Sequence, residues 1–154
     1  MPAKSLFGGW RPLPRPAGAR RGPGPAVPPQ QAPLAPGPAA GKLLYAVDAA
    51  LTAASPVADI GQLSALSAEA VAAGGGHVLE TSHVVFPNGA VTLVLILAES
   101  HLAIHTWPED NLIAIDLFSC GAIDGPRVAA ELARLLRLDD VRMQRIERGA
   151  GARP

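Results

Sequence analysis

A chain of 154 residues with a single cysteine, Cys120, can build one modest core beside an appendage but no internal disulfide, and a reducing cytoplasm is the expected setting. The formal charge is zero, yet the first 40 residues carry five basic and no acidic side chains, so the remainder is mildly acidic, which argues against a nucleic-acid-binding face. The longest apolar run, Ala90 to Ala98, is about half the ~20 residues of a membrane-spanning helix, and the amino terminus lacks the apolar segment of a secretory leader, so no membrane association is expected.

Residues 1–40 hold eleven of the sixteen prolines among Gly, Ala and Arg, too little apolar surface to offset the entropy of ordering, and read as a disordered tail. One domain is expected over residues 41–149, with a frayed end at 150–154. Leu43 to Val47 reads as a first strand. Ser55 and Pro56 supply an N-cap and a first-turn proline, and Ile60, Leu63, Leu66, Ala70 and Val71 then recur at helical spacing until Gly74 to Gly76 stop the pattern. His77 to Phe86 is a second strand. Pro87-Asn88-Gly89 is a turn whose Asn-Gly pair accepts positive φ, so the next strand returns antiparallel. That strand, Ala90 to Ala98, is continuous and rich in Val, Leu and Ile, as expected for burial on both faces. A break at Glu99-Ser100-His101 follows, then a short strand to Thr106, a turn over Trp107 to Asn111, and a strand from Leu112 to Ser119. Asp124-Gly125-Pro126 opens a second helix carried by Val128, Leu132, Leu135 and Leu136, and Val141 to Ile146 is a last strand.

The order β-α-β-β-β-β-α-β, with most connections too short for parallel crossovers, predicts an α+β fold: a two-layer sandwich of a mainly antiparallel sheet with helices on one face. Two helices cover only one face, so a homodimer is expected to bury the other.

Ser100, His101, His105 and Glu109 lie between a buried strand and a turn, and Cys120 ends the next strand. Alternation puts His101, Ala103 and His105 on one face, and an antiparallel return carries Cys120 toward them, so all five chemical groups could share one pocket. Spacing alone leaves several readings open. The polar groups could simply be satisfied at strand ends. A Ser-His or Cys-His hydrolase would need a nucleophile elbow, and no Gly-x-Ser-x-Gly is present. A zinc site would need ligand spacing that this stretch does not match, and no metal is expected.

The literal text is more specific. Ala98-Glu99-Ser100-His101-Leu102-Ala103-Ile104-His105-Thr106-Trp107-Pro108-Glu109, followed by Ala114-Ile115-Asp116-Leu117-Phe118-Ser119-Cys120-Gly121, closely resembles the prokaryotic S-adenosylmethionine decarboxylase proenzymes. Weaker similarity extends over residues 41–149, including Phe86 and the closing Glu147-Arg148-Gly149. The resemblance implies a chain that cuts itself between Glu99 and Ser100: the Ser100 hydroxyl attacks the Glu99 carbonyl, the ester eliminates, and residue 100 becomes a pyruvoyl group. This self-derived cofactor would form a Schiff base with the substrate amine and accept the electron pair left by CO₂. The implied substrate is S-adenosylmethionine, and the implied product is its decarboxylated form for spermidine synthesis. By the same resemblance His105 abstracts the proton during processing and Cys120 is the proton donor in catalysis. Glu109 binds the ribose, Phe86 stacks on adenine, and Leu102 lines the adenine or sulfonium pocket. Thr92 stands where many relatives carry a serine that supports the ester rearrangement. Leu93 replaces a usual glycine, and the first strand lacks the family's acidic and aromatic residues. Two other readings therefore stand beside the first: the same pyruvoyl chemistry on ornithine or arginine, and a non-processing partner or activator subunit.

Overall fold

The computed structural model describes residues 41–120 and 122–149; the proline-rich stretch read as a tail and the end read as frayed lie outside the described residues. In chain order the elements are β1 (Lys42–Ala50), α1 (Ile60–Ala73), β2 (Val78–Val85), β3 (Val91–Leu97), β4 (Ser100–Trp107), a short 3-10 turn (Pro108–Asp110), β5 (Leu112–Ser119), α2 (Gly125–Leu135) and β6 (Asp139–Arg148). The strands form a single sheet in the order β2-β3-β4-β5-β1-β6, and every neighbouring pair is antiparallel. The fold is the expected α+β sandwich of an antiparallel sheet and two helices.

One core lies between the sheet and the helices. Leu63, Ala70 and Val71 of α1 and Val128, Ala129 and Leu132 of α2 pack on Tyr45 and Val47 of β1, Leu93 and Leu95 of β3, Leu102 and Ile104 of β4, and Ile113 and Ile115 of β5. β1, β3, β4 and β5 each contribute every second side chain, as the pleat requires, whereas β2 and β6 at the sheet edges are largely exposed. The β3 run is therefore buried differently from expectation. Val91, Leu93, Leu95 and Leu97 face the helices, while Thr92, Val94 and Ile96 face away, and Ile96 is 43% exposed. The second apolar face exists, but among the described residues nothing covers it. Val84, Trp107 and Ile146 are exposed on the same open face, and the half-buried Phe118 borders them.

Helix boundaries follow the caps. Asp124 accepts the Arg127 N–H at 3.0 Å at the start of α2, as its sequence indicates. Gly125 is required there, because a Cβ would overlap the Tyr45 ring and push the helix off β1. The start of α1 differs from the expected Ser55-Pro56. Asp59 is the N-cap and accepts the Gln62 N–H at 3.1 Å, whereas the Ser55 hydroxyl donates to the Arg137 carbonyl at 3.2 Å. A distant tertiary partner thus takes the hydroxyl that the local sequence offered as a cap.

Two ends of the sheet matter for function. The β2–β3 and β4–β5 turns lie at one end; the β3–β4 turn and the exit from β5 lie at the other.

Candidate active site

The β3–β4 turn carries Glu99 and Ser100. Ser100 has φ 144°, a conformation glycine favours and L side chains rarely adopt, and backbone strain of this kind costs on the order of 1–3 kcal/mol. Its Oγ lies 3.3 Å from His101 Nδ1, and the His101 ring is tilted against Phe118 with centroids 5.8 Å apart.

Sheet register brings the only cysteine to the same turn. Ser100 pairs with Ser119, so Cys120 falls opposite Glu99. The Glu99 carbonyl oxygen accepts the Cys120 backbone N–H at 2.9 Å and the Cys120 thiol at 3.2 Å. Two fixed donors on one carbonyl are the arrangement that stabilises charge developing on that oxygen when a nucleophile attacks its carbon. The next residue along the chain, Ser100, carries a hydroxyl that could serve as such a nucleophile.

The Glu99 carboxylate is held as well. Oε2 accepts the His77 backbone N–H at 3.0 Å, and Oε1 lies 2.8 Å from His77 Nδ1. Burial alone would raise this carboxyl's pKa, but the His77 ring and backbone hydrogen bonds outweigh it and hold the group below the ordinary carboxylate range.

A second group occupies the opposite end. Thr92 pairs with His105 across β3 and β4, with Thr92 Oγ1 3.0 Å from His105 Nδ1. The Trp107 ring lies 6.1 Å beyond His105, and Asn88 Nδ2 donates to Glu109 Oε1 at 3.2 Å. Phe86, 44% exposed, enters the same turn as Asn88.

Ser100, His101 and Cys120 thus come together, but His105 and Glu109 do not join them within one chain. Five residues of extended strand separate Ser100 from His105, about 16 Å along β4, and Glu109 lies beyond the far end of the strand, more than about 23 Å away. Leu102 is fully buried on the helix-facing side, so its side chain is turned away from His101 and His105. Leu93 is likewise fully buried on that side and does not crowd the Thr92–His105 pair. His77, Asn88 and Phe118 are partners that the sequence reading did not single out; each is set by strand register or turn geometry, and no local spacing signals them. A surface cavity of about 250 Å³ lies elsewhere, lined by Asp48, Asp110, Asn111, Asp140 and Arg142 among others, and contains none of these groups. Among the described residues no cluster of three or more His, Cys, Asp or Glu could hold a metal ion.

The class of protein is an α+β sandwich with one open face and, at one turn, a strained serine beside a carbonyl that accepts two hydrogen bonds. Comparison with known proteins is more specific. The S-adenosylmethionine decarboxylase family model matches residues 44–149. S-adenosylmethionine decarboxylase proenzyme 2 of Bacillus anthracis is 40% identical over 78 residues, covering 50% of this chain and 63% of that protein. The S-adenosylmethionine decarboxylase proenzyme of Symbiobacterium thermophilum is 41% identical over 95 residues, covering 61% of this chain and 72% of that protein. The crystal structure of the adenosylmethionine decarboxylase from Aquifex aeolicus superposes with a TM-score of 0.59 at 25% identity, over 71% of this chain and 91% of that one. The chain belongs to the S-adenosylmethionine decarboxylase family. It spans less than two thirds of the Bacillus anthracis protein.

Proposed function

We propose that this chain cuts itself between Glu99 and Ser100 and, once cut, decarboxylates S-adenosylmethionine to the aminopropyl donor used for spermidine. The observation that carries the reading is the Glu99 carbonyl, held by the Cys120 N–H and thiol beside the Ser100 hydroxyl. These residues fit the making of a pyruvoyl group at position 100. His101 Nδ1 is placed to accept the Ser100 proton as Oγ adds to the Glu99 carbon. Negative charge gathers on the carbonyl oxygen, where Cys120 donates. The Glu99–Ser100 amide bond then breaks, its nitrogen takes a proton, and an ester replaces it. Removal of the Ser100 Cα proton expels the Glu99 carboxylate and leaves a carbon–carbon double bond. Tautomerisation and addition of water release ammonia and leave the pyruvoyl group as the cap of residues 101–154.

That ketone supplies the electron sink for the pair left by CO₂. The chain's own groups do the rest: the Cys120 thiol returns a proton to the substrate carbon, Glu109, steadied by Asn88, accepts from the ribose hydroxyls, and Phe86 offers a flat face to adenine.

The separation of the two groups along β4 supports a homodimer with sites shared between copies. A twofold-related copy laid on the open face, running antiparallel, would carry its His105, Thr92, Glu109 and Phe86 toward the first copy's Ser100 and Cys120. The uncovered Val84, Ile96, Trp107 and Ile146 favour the same contact. His105 of the second copy is then the base that takes the Ser100 Cα proton, with Thr92 orienting its ring.

The test is mass spectrometry of the purified chain with CO₂ release from labelled S-adenosylmethionine, ornithine and arginine. Two fragments divided after Glu99, one full-length Ser100→Ala chain, and release from S-adenosylmethionine alone are expected. A wild-type chain that stays whole, or turnover of ornithine or arginine instead, refutes the proposal.

A further inference from the structure

The His77–Glu99 pair has no role in the chemistry above. His77 follows the Gly74-Gly75-Gly76 run that ends α1. A Cβ at Gly76 would overlap the side chains of Ile123 and Val71, and one at Gly74 would overlap the Val128 side chain and crowd the Asp124 carbonyl, so a side chain at either position would force its neighbours to shift. His77 emerges from this glycine run against the β3–β4 turn and makes three contacts there. Its carbonyl accepts the Ala98 N–H at 2.9 Å, its N–H donates to Glu99 Oε2 at 3.0 Å, and its Nδ1 meets Glu99 Oε1 at 2.8 Å. The side chain of Glu99 is only 12% exposed, while that of His77 is 66% exposed.

The same glycine run is tied to the segment beyond Cys120: the Asp124 N–H donates to the Gly74 carbonyl at 2.9 Å. Glu99 is therefore gripped from two sides by linked segments, at its carboxylate by His77 and at its carbonyl by Cys120. The carboxylate anchor adds a second fixed point to the residue before the scissile bond and so opposes backbone rotation that would swing its carbonyl off the Cys120 donors.

We propose that His77 is a positioning residue for self-cleavage, clamping the Glu99 carboxylate so that the Glu99 carbonyl stays on Cys120 and within reach of the Ser100 hydroxyl. This rests on the self-processing reading given above. The clamp acts on the first step, formation of the ester, and touches neither the substrate nor the reacting atoms.

The experiment follows cleavage of freshly synthesised full-length chains with time, for wild type, His77→Ala and His77→Asn, with and without hydroxylamine, which cuts esters. Losing one hydrogen bond to a charged group should slow His77→Ala on the order of tenfold. His77→Asn, which keeps a donor near Nδ1, should recover most of the rate. Hydroxylamine should not restore the wild-type rate to His77→Ala, because the ester itself forms slowly. Paired with Ser100→Ala to prevent cleavage, His77→Ala should lower the melting temperature only slightly, because the side chain is exposed and the Glu99 carboxylate keeps the residue 77 backbone N–H. A wild-type chain that never cleaves overturns the self-processing reading and the clamp with it. If wild type cleaves, the clamp alone is overturned by any of three results: His77→Ala cleaving as fast, His77→Asn being no faster than His77→Ala, or hydroxylamine cutting His77→Ala at the wild-type rate.

Discussion

Coexpressing Ser100→Ala chains with His105→Ala chains is expected to restore a cleavage that neither performs alone. About 16 Å of extended β4 separates Ser100 from His105 in one chain, several times the contact distance proton transfer requires. A twofold assembly that joins one copy's Ser100 to the other's His105 makes the outcome countable. In random pairing roughly half the dimers are mixed, and each mixed dimer has one complete site and one lacking both groups. The complete site uses the Ser100 of the His105→Ala chain and the His105 of its partner. About half of the His105→Ala chains, or a quarter of all chains, should therefore be cut, and no Ser100→Ala chain should be. Tags of different length resolve the chains on a gel, and affinity capture of one tag verifies that mixed dimers form. A His105→Ala chain that cleaves by itself, or stays whole inside captured mixed dimers, refutes the reasoning.

Two further outcomes concern stability, measured by urea denaturation of chains carrying Ser100→Ala so that cleavage does not intervene. Leu93 is fully buried in the helix-facing core, and Leu93→Ala should cost about 2–5 kcal/mol, seen as a lower midpoint at unchanged slope; a change under about 1 kcal/mol would mean the site is not packed as described. The Glu99 carboxyl is depressed from its ordinary 4.5 in the folded chain, so its contribution is present above 4.5 and lost as pH falls through the lower folded value. Glu99→Gln should therefore lower stability at neutral pH and narrow its gap from the parent as the solution is acidified; a gap constant across that range would refute the assignment.

Much of the fold was legible because alternation and punctuation are local. Asn88-Gly89 marks a turn in which Gly89 has φ 83°, and Asp124 announces α2. Ser55 misled because a hydroxyl that can cap a helix can equally bond a carbonyl from another element, here Arg137, and only tertiary structure decides which. The apolar β3 run read as doubly buried because both of its faces are apolar, but among the described residues only the face with Leu93 and Leu95 meets the helices. The candidate residues are contiguous as a string and dispersed as a place. Residues 100 to 109 are close in sequence, yet β4 is extended from Ser100 to Trp107, so proximity along the chain becomes distance in space. Conversely, His77 and Glu99 are 22 residues apart and meet through one turn and one glycine run, a pairing that no spacing rule encodes.

The backbone at Ser100 offers a separate check on the proposed cleavage. At φ 144° a side chain is strained and a glycine is not. Ser100→Ala and Ser100→Gly both lack the hydroxyl and should both remain whole, but alanine keeps the Cβ and glycine relieves it. Strain of about 1–3 kcal/mol, less the ~0.5–1 kcal/mol that glycine loses by its greater freedom in the unfolded chain, leaves the Gly variant more stable by about 1 kcal/mol. Urea midpoints at equal slope measure the difference. Elsewhere in a strand the same comparison should favour alanine, so the sign alone is diagnostic. If Ser100→Ala proves equally or more stable, the turn holds no strain, and release of backbone strain on cutting the Glu99–Ser100 bond cannot be part of what drives processing.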